Sequence, residues 1–299
     1  YRARFLRAPE TLAALGGYVK GQSRDWGYAA AEALFRTLVS RSDQMFFLAV
    51  AAAQMFCLVA IYRKCSKNYW LSLFLFVAST DYLSWMWNGT RQFLAAALIF
   101  AGLPLLARRR YGPMVLLTLG AACLHVSALL FLPFIFLVQG KPWSRRMLLF
   151  LLAILAACFA LDGILPRLAP ALEGTPFAID TDRLLGDGGV HPLRALFYGI
   201  PALLSLVFRR EIQNTDDRLI PVCVNLSVVS AGFYVLGVFT SGLLVGRIPI
   251  YFSLAGYILI PWLIQELFTA RSAAWVELGF LGAYSAFFYY QMHMVWGLL

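Results

Sequence analysis

The chain has 299 residues, of which 61% are hydrophobic and only 13% charged, with a formal net charge of +10 and a mean hydropathy of +0.72. Soluble domains run near half apolar and a quarter charged, so this composition excludes a soluble globular enzyme and predicts an all-α, polytopic transmembrane helical bundle. No polar stretch is long enough to bury a second core, P-loop, GxGxxG and CxxC patterns are absent, and no nucleic-acid partner is expected.

Residues 1–43 read as an arm, in which "YAAAEALFRTLVS" (28–40) predicts a short amphipathic helix on the outer surface. Ten apolar segments follow, at 44–62, 69–87, 92–107, 113–125, 127–138, 147–165, 193–208, 219–239, 249–268 and 274–296. A span needs about 20 residues, so 113–138 is expected to be a stubby hairpin with its tip at Cys123–Ser127. Residues 166–192, rich in Pro, Gly and Asp, read as the one long outer loop. The whole, 1–299, is expected to be a single integral membrane domain. The opening Tyr1-Arg2-Ala3-Arg4 is polar and lacks Met, and one further N-terminal span is expected before it. Cys57, Cys65, Cys123, Cys158 and Cys223 are far apart and read as small core residues.

Charge sets the orientation. If the segments alternate, one side holds 13 Lys/Arg, in 63–67, 108–110, 141–146, 209–218 and Arg271, and is read as cytoplasmic. The opposite loops after residue 43 hold five: Arg91, Arg167, Arg183, Arg194 and Arg247. The arm carries seven, and a preceding span would explain how it reaches the outer side.

With that orientation Arg91, His125 and Arg247 fall at one outer depth. Ionisable groups at membrane depth are costly and usually face a cavity or pathway. Both arginines lie near helix starts, where the backbone dipole favours anions, and guanidinium there suits phosphate or pyrophosphate. Either arginine alone reads equally as a headgroup anchor. His125 has the proton affinity for acid–base work near neutrality, and a lone histidine is also an ordinary hydrogen-bonded structural group. Asn88 and Gln92 flank Arg91 and could orient it. Asp81 sits about 10 Å deeper than Asn88 by helical rise, with Arg91 or Arg247 as the expected partner. Asp180-Thr181-Asp182 is a DxD string, a pattern that binds divalent metal in some glycosyltransferases and is also common in solvated loops. No metal site is assigned.

These stretches, in order, resemble the EpsG family of bacterial exopolysaccharide proteins, related in role to Wzy-type polymerases. The resemblance rests on "DWGYAAAEALFRTLV", "KNYWLSLFLFV", "NGTRQFLAAALIF", "LGAACLHVSALLFLPF" and "GRIPIYFSLAGYILIP", covering about residues 20–268. It implies a glycosyltransferase that polymerises lipid-linked oligosaccharide repeats at the outer face of the bacterial inner membrane, facing the periplasm, in exopolysaccharide, capsule or O-antigen biosynthesis. The implied partners are undecaprenyl-pyrophosphate-linked oligosaccharide and membrane lipids, with a chain-length regulator and a flippase alongside. No cofactor is implied. Arg91 and Arg247 would bind pyrophosphate, His125 would serve as base, and Tyr251, one turn after Arg247, could stack on sugar or bond phosphate.

Four other readings compete. A polysaccharide ligase would work at the same face. A GT-C-like glycosyltransferase needs an early outer acid, for which Asp25 and Glu32 are available besides Glu10 and Asp43. A membrane O-acyltransferase also centres on an intramembrane histidine. A transporter or flippase would want midplane polar sites and internal symmetry, and here the charges cluster at one face.

Overall fold

The computed structural model describes residues 1–172, 189–240, 242 and 245–298. Among these there are helices and turns and no strand. The expected DxD string, Arg183 and most of the expected outer loop lie outside the described residues.

Three short helices form the arm: α1 (Arg2–Arg7), α2 (Leu12–Lys20) and α3 (Trp26–Leu38). The expected amphipathic helix is α3, and its apolar face is buried rather than laid on a surface. Tyr28, Ala29 and Ala33 are fully enclosed, with Phe5 and Phe46 packed against Tyr28 and each other. Arg36 ties the arm together by donating to the backbone carbonyls of Phe5, Leu6 and Ala8 and to Glu10. These carbonyls end α1, where a helix leaves its acceptors unpaired.

Ser42 caps α4 (Asp43–Cys65), and Asn68 caps α5 (Tyr69–Ala78). The expected single span 69–87 is broken here. Thr80 adopts φ 67, and a π-helical turn runs from Tyr82 to Trp87 before α6 (Thr90–Ala101) and α7 (Leu103–Ala107). A β-branched residue in the left-handed region is unusual and marks a local constraint, which the Asp81 network described below supplies.

The expected hairpin is α8 (Tyr111–Leu124), an extended His125, a 3-10 turn (Val126–Phe131) and α9 (Leu132–Leu137). Helix α10 (Arg145–Leu172) runs seven residues into the segment expected as loop. Then come α11 (Pro192–Val207), α12 (Arg209–Gln213), α13 (Leu219–Phe239), α14 (Ile250–Ser253), α15 (Gly256–Leu267) and α16 (Ala270–Tyr289).

Among the described residues three helices can cross a membrane by length and composition: Asp43–Cys65, Thr90–Ala107 and Leu219–Phe239. Val245–Ser253 and Gly256–Leu267, bent by 47°, make a fourth if they are one span. Four further apolar helices are shorter, including both legs of the 111–137 hairpin. Helix α13 is the centre of the bundle, with 72% of its apolar window buried against 33% for α4. It packs on α10, α11, α14 and α15. Buried polar side chains tie helices to neighbouring backbone: Asn225 donates to the Val138 carbonyl at 2.9 Å, Gln54 to that of Thr90 at 2.9 Å and Ser72 to that of Tyr257 at 2.6 Å. Such bonds fix helix register where no water competes.

Candidate active site

The site begins with how closely α3 meets α8. At Gly27 a Cβ would lie 2.9 Å from the Cβ and carbonyl oxygen of Cys123, so only glycine permits this approach. Two residues earlier Asp25 takes φ 54, a left-handed conformation that Asp tolerates. Together these features aim the Asp25 carboxylate into the break after α8.

There it meets three donors. Oδ2 accepts from Arg91 Nη1 at 2.7 Å and lies 3.1 Å from His125 Nδ1, while Oδ1 accepts from the Val126 N–H at 3.0 Å. Asp25 is 5% exposed, whereas about a quarter of the Arg91 and His125 side chains remains open. Burial pushes the Asp25 carboxyl up. The His125 bond and charge, the Val126 N–H and the Arg91 charge outweigh it and hold the group below the usual carboxylate range. An ionised carboxylate only accepts, so His125 presents Nδ1–H to Asp25, and in the neutral imidazole Nε2 is then the acceptor nitrogen. The Tyr1 ring covers the other side of Arg91, 5.6 Å from its guanidinium carbon.

Beside this cluster Ser127 and Tyr251 share a hydrogen bond of 2.8 Å, and Gln92 donates to the Arg247 carbonyl at 3.1 Å. Gln92 therefore holds the backbone at Arg247, rather than orienting Arg91. The Arg247 side chain lines a cavity of about 520 Å³ together with Asn88, Arg194 and His191, which neither Arg91 nor His125 lines. The expected convergence of three cations thus resolves into two adjacent centres. Arg91 and His125 meet at Asp25, and Arg247 and Asn88 face the cavity, with α6 contributing to both.

Asp81 pairs with neither expected arginine. Fully buried, it accepts from Tyr198 at 2.7 Å, Tyr257 at 2.8 Å and Trp85 Nε1 at 3.3 Å. The break at Thr80 turns the chain so that the carboxylate points inward, away from both arginines, and hydroxyls and an indole satisfy it. No cluster of three or more His, Cys, Asp or Glu suited to a metal occurs among the described residues.

Two residues of this region were not singled out from sequence. Asp25 counts there only as one of several early acids, although an acid two residues before a glycine that opens an amphipathic helix was a usable signal. Arg194 counts only as one of five outer charges.

No curated protein and no solved structure matches the chain. A family model does match, over residues 4–296, nearly the full length and including Asp25, Asn88, Arg91, His125, Arg194 and Arg247: the chain belongs to the EpsG family.

Proposed function

We propose that this membrane protein polymerises lipid-linked oligosaccharide repeats, transferring the growing glycan from undecaprenyl pyrophosphate to the next lipid-linked repeat. Membership of the EpsG family supports a Wzy-like polysaccharide polymerase in general. The observation that carries the finer reading is His125, held by an ionised Asp25 with its second ring nitrogen unbonded to that acid.

In the reaction a hydroxyl of the acceptor sugar attacks the anomeric carbon of the donor. The new glycosidic C–O bond forms as the bond to pyrophosphate breaks, and the leaving group takes the electron pair. His125 Nε2 receives the hydroxyl proton, and Asp25 stabilises the imidazolium that results. Arg91 locks Asp25 in place and offers its remaining N–H groups to the substrates. Arg247 takes the charge that develops on the departing pyrophosphate. Asn88 reaches substrate in the cavity, and Gln92 and Tyr251 set the position of Arg247 and of the hairpin tip. Asp81, with both oxygens occupied, serves the scaffold. The excess of Lys/Arg in 63–67, 108–110, 141–146 and 209–218 supports placing these centres at the extracytoplasmic face of the bacterial inner membrane, in a single bundle of about ten spans.

The test is polymerisation from a purified lipid-linked repeat by the chain in lipid. His125→Ala is expected to slow elongation by about 100-fold or more, the usual scale for a general base. A folded His125→Ala protein that elongates at the wild-type rate overturns the reading, and a single transfer onto a non-repeat acceptor makes the protein a ligase.

A further inference from the structure

The 520 Å³ cavity holds more than the one arginine that the mechanism uses. Arg194, in the first turn of α11, faces it together with Arg247. Its Nη2 donates to Ser84 Oγ at 3.2 Å, and its guanidinium carbon sits 5.6 Å from the centre of the Tyr198 ring. Tyr198 in turn donates to Asp81 at 2.7 Å. Asp81 therefore fixes, together with the Ser79 carbonyl at 2.6 Å, the tyrosine on which Arg194 rests, and it does not line the cavity. Arg247 makes no ion pair among the described residues, and no Asp or Glu is among the described residues that line the wall.

Two guanidiniums in one recess, with no carboxylate among its described residues, make a site for an anion of more than one charge. Arg91 differs, because Asp25 already neutralises it. Asn88, His191 and Gln291 add polar groups, and Trp87, Tyr290 and Trp296 add rings on which the apolar face of a sugar can rest. The volume lies within the range of small-molecule sites, about 300–1,000 Å³, large enough for a diphosphate with a sugar attached.

We propose that this cavity binds the pyrophosphate of a lipid-linked glycan, with Arg194 and Arg247 as its two cationic ligands and Asp81 as a positioning residue that acts on Arg194 through Tyr198. The proposal deepens the polymerase reading and rests on it for the identity of the ligand. It divides the labour between the centres: pyrophosphate is gripped at the cavity, and the proton is taken by His125 at the Asp25 cluster.

The test measures binding of farnesyl pyrophosphate to the full chain in phosphatidylcholine nanodiscs. Arg194→Gln and Arg247→Gln should each weaken binding about tenfold or more, a loss of about 1.4 kcal/mol each. Arg194→Lys should recover part of it, inorganic pyrophosphate should compete, and farnesol should not bind. Asp81→Asn should weaken binding less than Arg194→Gln does. Wild-type affinity in a folded Arg194→Gln protein overturns the proposal. Displacement of the probe by phosphatidylglycerol also overturns it and makes the pair a headgroup anchor. If Arg194→Gln does not purify, Arg247→Gln and Arg194→Lys decide the matter alone. His125→Gln separates this proposal from the polymerase reading: it should bind the probe as wild type does while elongation is lost. Arginine-dependent binding in a protein that elongates nothing would leave the site standing and remove the polymerase.

Discussion

Two carboxylates, Asp25 and Asp81, are almost wholly buried in this chain, and they are satisfied in opposite ways. Asp25 has an arginine at 2.7 Å and an imidazole at 3.1 Å, both still partly open to the outside. Asp81 has no cation in contact and accepts from two tyrosines and a tryptophan, all enclosed. A carboxylate between cations stays ionised and can pass its influence to a group that meets substrate. One whose oxygens are filled by neutral donors from three separate segments is a clamp on the bundle. Burial alone does not tell a working acid from a structural one. The partners and their exposure do.

The sharpest way to break this distinction is Asp81→Ala, which orphans the Tyr257 hydroxyl and the Trp85 indole while Tyr198 keeps the Ser79 carbonyl at 2.6 Å. Each buried orphan costs about 1–3 kcal/mol, so a loss on the order of 2–5 kcal/mol is expected, read as a lower thermal midpoint in detergent. Asp25→Asn is expected to do less to the midpoint and more to turnover. It removes the charge that orients His125, and elongation should fall about tenfold or more with the fold retained. If Asp25→Asn unfolds the chain while Asp81→Ala folds normally and is merely inactive, the two roles are reversed.

A third acid sharpens the comparison with the smallest effect. Glu32 on α3 is fully enclosed, and burial lifts its carboxyl to about 7 despite Arg4 at 2.8 Å. A carboxyl whose folded-state value is raised binds its proton more tightly when folded. Its contribution to stability is therefore lost as pH rises from the ordinary 4.5 towards 7. Glu32→Gln should flatten that part of the pH dependence of arm docking, followed by limited proteolysis of residues 1–43. For Asp25 the sign is opposite, since its lowered value gives stability above the ordinary 3.8 that is lost on acidification.

Much of the scaffold is legible in the sequence, because apolar runs report burial in lipid or protein directly. The break at His125 could also be read, since both flanks of 113–138 are basic and two crossings satisfy that where one does not. Other features could not. The fracture at Thr80 is a matter of φ, and "LSLFLFVASTDYLSWMW" carries no charge apart from Asp81 and neither glycine nor proline. Helix α10 continues past Pro166 and Pro170, residues that locally argue for a loop. Arg91 and His125 were readable as costly charges at one depth. The pairing of Asp25 with them is not, because they lie 66 and 100 positions away and the close approach at Gly27 brings them together. Arg194 is not legible either, because one charge near a span end reads like any other without the cavity beside it.

That wide separation also orders events during synthesis. Asp25 leaves the ribosome about 100 residues before His125 and Val126 exist, and nascent chains grow at about 5–20 residues per second. For that interval its carboxylate has neither imidazole nor amide to meet. The acid is made first and its partners last, so the Asp25 cluster can close only after the arm, α4, α5, α6 and α8 have all been delivered.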